Sequence, residues 1–291
     1  MRSRRAAAAL LLLGLWLGGA DAGATIDPGS PTGVWRAIDY PLVAPDWSDD
    51  QQTGIPEADI VGDTSHPGVY VQFDSAGTPS TTDGSLAFRV RLGADKPPAG
   101  FDFFFGVGID ANLDGALDLF VGVNNSGAAD ELGIWSPGSD LNVSPSTTSI
   151  VNPPLVSYAE SASNYGFQLV DSVIDPPATI FDLDNDGNVD YFLSFVIPFQ
   201  DIVNQLVAAG FPGFDESSMV QYVVGTSTQP NALNQDLGGP DGGVRSDQTW
   251  AQLGAVSVPM TPTPEPGGLA LLGVALVAVM RARRRGGPDR S

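Results

Sequence analysis

Leu86-Ala87-Phe88-Arg89-Val90-Arg91-Leu92 decides the fold class. Leu86, Phe88, Val90 and Leu92 fall on one side of an extended chain and Arg89 and Arg91 on the other, the period of two that marks a β-strand. Working outward, residues 69–73, 101–109, 117–123, 166–170, 191–197 and 219–224 are further short apolar runs, several of them apolar on both faces. Strands of that kind are covered on both sides. Thirty-five glycines and 24 prolines punctuate the runs, as turns do in an all-β domain. One segment has another period. Ile202, Val203, Leu206 and Val207 stand at helical spacing between Pro198 and Gly210, which predicts a short helix over 199–209. Residues 136–154 and 241–247 are rich in loop-forming residues. No regular repeat of 20–50 residues occurs, which argues against a propeller or solenoid. No internal linker divides the body, so residues 23–260 read as one β-sandwich with one short helix.

Two targeting segments flank that body. Met1-Arg2-Ser3-Arg4-Arg5 is basic, residues 6–17 are apolar except for Gly14, and Ala20-Asp21-Ala22 has the small-x-small form of a cleavage site. The apolar run is short of the ~20 residues a membrane span needs, so residues 1–22 read as a signal peptide. At the other end, residues 261–291 begin with the stiff spacer Thr261-Pro262-Thr263-Pro264-Glu265-Pro266. Residues 269–280 are apolar apart from Gly273, and Arg281, Arg283, Arg284 and Arg285 follow, holding that end on the cytoplasmic side.

The ends also hide the charge of the body. The formal net charge is −21, with 13 basic and 34 acidic residues. Eight of the basic residues, Arg2, Arg4, Arg5, Arg281, Arg283, Arg284, Arg285 and Arg290, lie in the flanking segments, leaving Arg36, Arg89, Arg91, Lys96 and Arg245. So acidic a body repels nucleic acid and anionic lipid and attracts cations; contact with a membrane is expected only through the targeting segments. There is no cysteine, so no disulfide staples this exported chain. His66 is the only histidine, between Ser65 and Pro67 in a turn-like stretch, a poor setting for a catalytic triad. No nucleophile elbow, P-loop or HExxH is present.

Two stretches carry metal chemistry. Asp110-Ala111-Asn112-Leu113-Asp114-Gly115-Ala116-Leu117-Asp118 and Asp182-Leu183-Asp184-Asn185-Asp186-Gly187-Asn188-Val189-Asp190 share one pattern. Oxygen ligands at positions 1, 3 and 5 converge on one cation, and glycine at 6 allows the sharp turn. The carbonyl at 7 (Ala116, Asn188) and a carboxylate at 9 complete the arc. Hard oxygen donors at this density suit Ca2+ in a structural role.

These loops are similar to calcium loops of the EF-hand and dockerin type. They depart from the full EF-hand at position 12, where Val121 and Leu193 replace a bidentate Glu, and in running into strands instead of helices. A loop leading into an apolar strand is also similar to FG-GAP integrin-type repeats, but the two copies stand 72 positions apart with unlike sequence between. The tail, Pro264-Glu265-Pro266, a short apolar helix and an arginine cluster, resembles the PEP-CTERM sorting signal. That resemblance implies recognition by an exosortase and delivery to the cell surface or extracellular matrix, with transient or permanent anchoring by the helix. The stretches Ala58-Asp59-Ile60-Val61-Gly62-Asp63, Gly68-Val69-Tyr70 and Asp83–Leu92 look like the opening of DOMON-like carbohydrate-binding sandwiches, which implies exopolysaccharide as a ligand and assigns no binding residue.

The expectation is thus an all-β protein, a jelly-roll or DOMON-like sandwich, exported, non-enzymatic and calcium-stabilised, with polysaccharide as the candidate ligand. The alternatives are a secreted polysaccharide hydrolase working through carboxylates and an FG-GAP-like adhesion module. Trp47 is a candidate stacking residue for sugar.

Overall fold

The computed structural model describes residues 26–30, 34–41, 50–96, 100–127, 130–171 and 181–263. The signal peptide, Trp47 and the sorting residues Pro264, Glu265, Pro266, Arg281, Arg283, Arg284 and Arg285 lie outside them. The strands are β1 (Arg36–Ala37), β2 (Val69–Asp74), β3 (Ser85–Leu92), β4 (Phe104–Asp110), β5 (Leu119–Asn124), β6 (Glu131–Trp135), β7 (Val156–Ala159), β8 (Tyr165–Leu169), β9 (Tyr191–Pro198), β10 (Gln221–Ser227) and β11 (Asp236–Leu237). Two helices, α1 (Phe199–Ala209) and α2 (Trp250–Leu253), complete the described elements with two 3-10 turns. The strands form two antiparallel sheets, ordered β1-β2-β3-β9-β8 and β11-β10-β4-β5-β6-β7. Among the described residues, no helix is long and apolar enough to cross a membrane.

The alternation in β3 sets the arrangement. Leu86, Phe88, Val90 and Leu92 face the second sheet and join Phe105, Val107, Ile109, Val121, Val123, Tyr222 and Val224 in one core. Aromatic rings bridge the sheets: Phe88 meets Tyr222 edge-on at 5.3 Å and Phe105 meets Phe195 edge-on at 5.8 Å, while Phe88 and Phe195 stack at 5.6 Å within the five-stranded sheet. Such pairs contribute about 0.5–1.5 kcal/mol each beyond the area they bury. Helix α1 adds Phe199, Ile202, Val203 and Leu206 to this core. It ends at Gly210, whose left-handed φ of 108° lets its N–H reach back to the Leu206 and Val207 carbonyls.

Both outer faces are covered as well. Over the six-stranded sheet lies a second apolar layer of Phe104, Phe120, Trp135, Leu233, Leu237, Trp250 and Val256. It rests on a row of four glycines in register across four strands, Gly225, Gly106, Gly122 and Gly133. A methyl group on Gly106 would stand 2.5 Å from the Phe104 ring, and one on Gly133 would stand 2.7 Å from the Trp135 ring. The row is a trough in which the rings lie. Over the five-stranded sheet, Ser30 and Trp35 cover Arg89. Its guanidinium sits 4.2 Å from the Trp35 ring and 5.2 Å from Phe192, and donates to Ser194 Oγ (2.8 Å) and to the Ser30 carbonyl (2.9 Å). Burial lowers its pKa to about 10. The two arginines of β3 do point away from the core, but into a second buried layer and not into solvent.

Candidate metal centre

The first loop joins β4 to β5 and lies beside the C-terminal end of α1, across a cleft of about 590 Å3 lined by Asp118, Asp140, Gln205 and Phe211. The second loop enters β9 at Tyr191, which pairs with Leu92, while α1 leaves β9 where Pro198 pairs with Ser85. The two loops therefore stand at opposite ends of the sandwich and cannot share an ion.

In the first loop the carboxylates serve the backbone. Asp110 is buried, its Oδ1 accepts from the N–H groups of Leu113 (2.7 Å), Asn112 (3.3 Å) and Asp114 (3.3 Å), and its Oδ2 from Gly115 (2.8 Å). Asn112 Oδ1 accepts from Asp114 N–H, Asn112 Nδ2 donates to Asp114 Oδ2, and Asp114 Oδ1 accepts from the Ala116 N–H. Asp118 Oδ2 accepts from Ala111 N–H. Burial, with Asp110 and Asp114 nearby, raises Asp118 to about 6. A cleft of about 420 Å3 borders Asp114, Gly115 and Trp250. Trp250 is 1 % exposed and spends its indole N–H on the Asn142 carbonyl, so it is a wall and not an open stacking platform.

The second loop repeats the turn and differs in its spare oxygens. Asp182 Oδ2 accepts from Gly187 N–H, Asp184 Oδ1 from Asp186 N–H, and Asp186 is held by the N–H and side-chain amide of Asn188. Asp190 Oδ2 accepts from Leu183 N–H and from Arg91 Nε, at 2.6 Å, in a fully buried ion pair. That leaves Asp182 Oδ1, Asp184 Oδ2 and Asp190 Oδ1 buried with no hydrogen-bond partner. These three residues each offer a carboxylate oxygen within 4.8 Å of the others. Burial, then the Asp182 carboxyl within hydrogen-bonding reach and the charges of Asp186 and Asp190, raises Asp184 to about 7. Burial raises Asp190 to about 6, with Arg91 offsetting only part of it. Orphaned buried acceptors are costly, and carboxylates that converge repel. A hard, oxygen-preferring cation would satisfy both, so these residues fit one. The structure thus brings Asp182, Asp184 and Asp190 together, whereas Asp110, Asp114 and Asp118 do not converge in this way. Asn188 and Ala116 occupy position 7 in each turn, with Gly187 and Gly115 at φ 93° and 88° before them.

A second acidic group has no counterpart in the sequence reading. Asp50, Asp59 and Asp236 bring carboxylate oxygens within 4.8 Å of one another, and Asp59 and Asp236 have no exposed surface. Asp236 accepts from the N–H groups of Ile60 and Leu237, both at 2.7 Å, and Asp50 from Gly242. Burial together with Asp50 and Asp59 raises Asp236 well above the usual carboxylate range, and burial raises Asp50 to about 6. Sequence could not group them, because no spacing motif links residues 50, 59 and 236. His66 is a turn residue: Asp63 Oδ1 accepts its backbone N–H at 2.6 Å and lies 3.3 Å from its ring nitrogen.

Comparison with protein-family models, curated proteins and solved structures found no match to this chain.

Proposed function

We propose that this chain is an exported surface or matrix protein, non-enzymatic, whose β-sandwich is stabilised by Ca2+ in the second Asp loop. The observation that carries the metal is that Asp182, Asp184 and Asp190 bring carboxylate oxygens within 4.8 Å of one another and that each also has a buried oxygen with no hydrogen-bond partner. Filling the site removes their mutual repulsion and stabilises the folded state by mass action. Export and exosortase sorting rest on the order of cleavage site, Pro264-Glu265-Pro266, apolar run and arginines in the sequence. Exopolysaccharide is the proposed ligand class, on the DOMON-like strand pattern.

The deciding experiment is thermal unfolding of the mature domain in EDTA and in millimolar calcium. Calcium should raise Tm, and Asp184→Asn should remove most of that rise. Coincident melting curves with and without EDTA would overturn the metal. Exopolysaccharide pull-down, with turnover screened on the same polymers, tests the ligand class: retention without turnover supports binding, and turnover lost on substituting a carboxylate supports the hydrolase instead.

A further inference from the structure

We propose that the second loop's cation site is completed outside the loop, by β3 and the residue after it: Arg91 is a positioning residue for Asp190, and Gly93 is the wall against which Asp184 sits. This rests on the metal reading above and deepens it.

Asp190 is fixed from several sides. Its N–H donates to the Phe181 carbonyl (2.8 Å) and its carbonyl accepts from Val170 N–H (2.9 Å). Its Oδ2 is held by Arg91 Nε and Leu183 N–H. With one oxygen so engaged, the other is left buried and unpartnered on a carboxylate that lies within 4.8 Å of those of Asp182 and Asp184. Arg91 reaches this position because β3 turns its odd-numbered side chains away from the core, and because Arg91 pairs with Phe192, two residues past Asp190. Gly93 sets the other wall. A methyl group there would stand 3.0 Å from Asp184 Oδ2 and 3.2 Å from the Pro56 carbonyl. Four loop carboxylates against one guanidinium still leave a net attraction for a divalent cation. In the first loop the corresponding Asp118 makes the same bond to the second residue of its turn, Ala111, but has no arginine beside it among the described residues. The second site is therefore assembled by the folded sheet, and the motif spacing supplies only part of it.

The test uses the whole mature domain, with calcium affinity by titration calorimetry and Tm in EDTA and in calcium for wild type, Arg91→Lys and Gly93→Ala. Lysine keeps the charge but loses the guanidinium's directed N–H, and alanine at 93 displaces Asp184. Each variant should bind calcium at least about tenfold more weakly, the usual effect of removing a group that orients a metal ligand. Each should also show a smaller calcium-dependent rise above its own Tm in EDTA. A merely structural role would lower both melting temperatures equally and leave Kd unchanged, and that result overturns the proposal. If Arg91→Lys does not fold, Gly93→Ala decides. A wild type that binds no calcium overturns the metal reading itself, whatever the variants do.

Discussion

Asp236 shows what a single buried carboxylate costs this fold. It has no exposed surface, caps two backbone N–H groups, and faces Asp50 and Asp59. Three carboxylates so close cannot all ionise without strong repulsion, and the folded state favours the protonated form of Asp236. Asp236→Asn replaces a carboxyl that can ionise by a group that cannot, and keeps an acceptor oxygen for one of the two N–H groups. The variant should lose stability in acid, where one backbone N–H is left unpaired, and should show a shallower fall in stability as pH rises above the ordinary carboxylate range. Chemical denaturation at a series of pH values measures that slope; a slope as steep as wild type would remove Asp236 as its source. The group was not legible in the sequence, because its members are distant in the chain and each reads alone as a loop or strand-end aspartate. The Asp182–Asp190 loop was legible, because its chemistry is local. Yet the pattern made two equal loops, and only the fold separates them: Asp118 and Asp190 each accept from the second backbone N–H of their own turn, and Asp190 alone has Arg91 beside it as well.

At the scale of elements, alternation and helical spacing carried far. The strand at β3 and the helix over 199–209 occur where the pattern placed them, and β2, β5, β8, β9 and β10 lie within a few residues of their expected positions. Four strands, β1, β6, β7 and β11, lie outside the expected runs. β6 is Glu131-Leu132-Gly133-Ile134-Trp135, and its central glycine looks like a turn signal. In the fold that glycine ends a row across the sheet, with the Trp135 ring laid over it. Here glycine marks a close approach of side chains and not a break in the strand. The row makes a sharp prediction. A methyl group on Gly122 would stand 2.1 Å from the Phe105 carbonyl oxygen on the neighbouring strand, where a backbone atom cannot step aside. Gly122→Ala should cost about 3 kcal/mol, the upper end of ordinary overpacking losses, read as a lower midpoint in urea. A change under about 0.5 kcal/mol, the size of an ordinary surface substitution, would mean the sheet has slack that the packing does not show.

For the whole molecule, the raised carboxylates act in one direction. Asp50, Asp118 and Asp190 are lifted to about 6, Asp184 to about 7, and Asp236 well above its usual value, in each case chiefly by burial. A carboxyl whose pKa is raised on folding holds its proton in the native state at a pH where the unfolded chain has lost it. Its contribution is fully present below about pH 4 and is lost as pH rises through the folded value, so stability falls with pH across that window. This reverses the usual behaviour of paired carboxylates, and it follows from an acidic body with only five basic residues to offset it. In EDTA, Tm should therefore be higher at pH 5 than at pH 7.5. Calcium acts against the same repulsion, and it must displace protons from Asp184 and Asp190 to bind. The rise in Tm on adding calcium should then be small at pH 5 and larger at pH 7.5, so that the two curves separate as the carboxylates ionise. A calcium effect that is equal at both pH values would place the ion away from these raised groups, and Tm in EDTA that climbs with pH would show that their protons are not held by the fold.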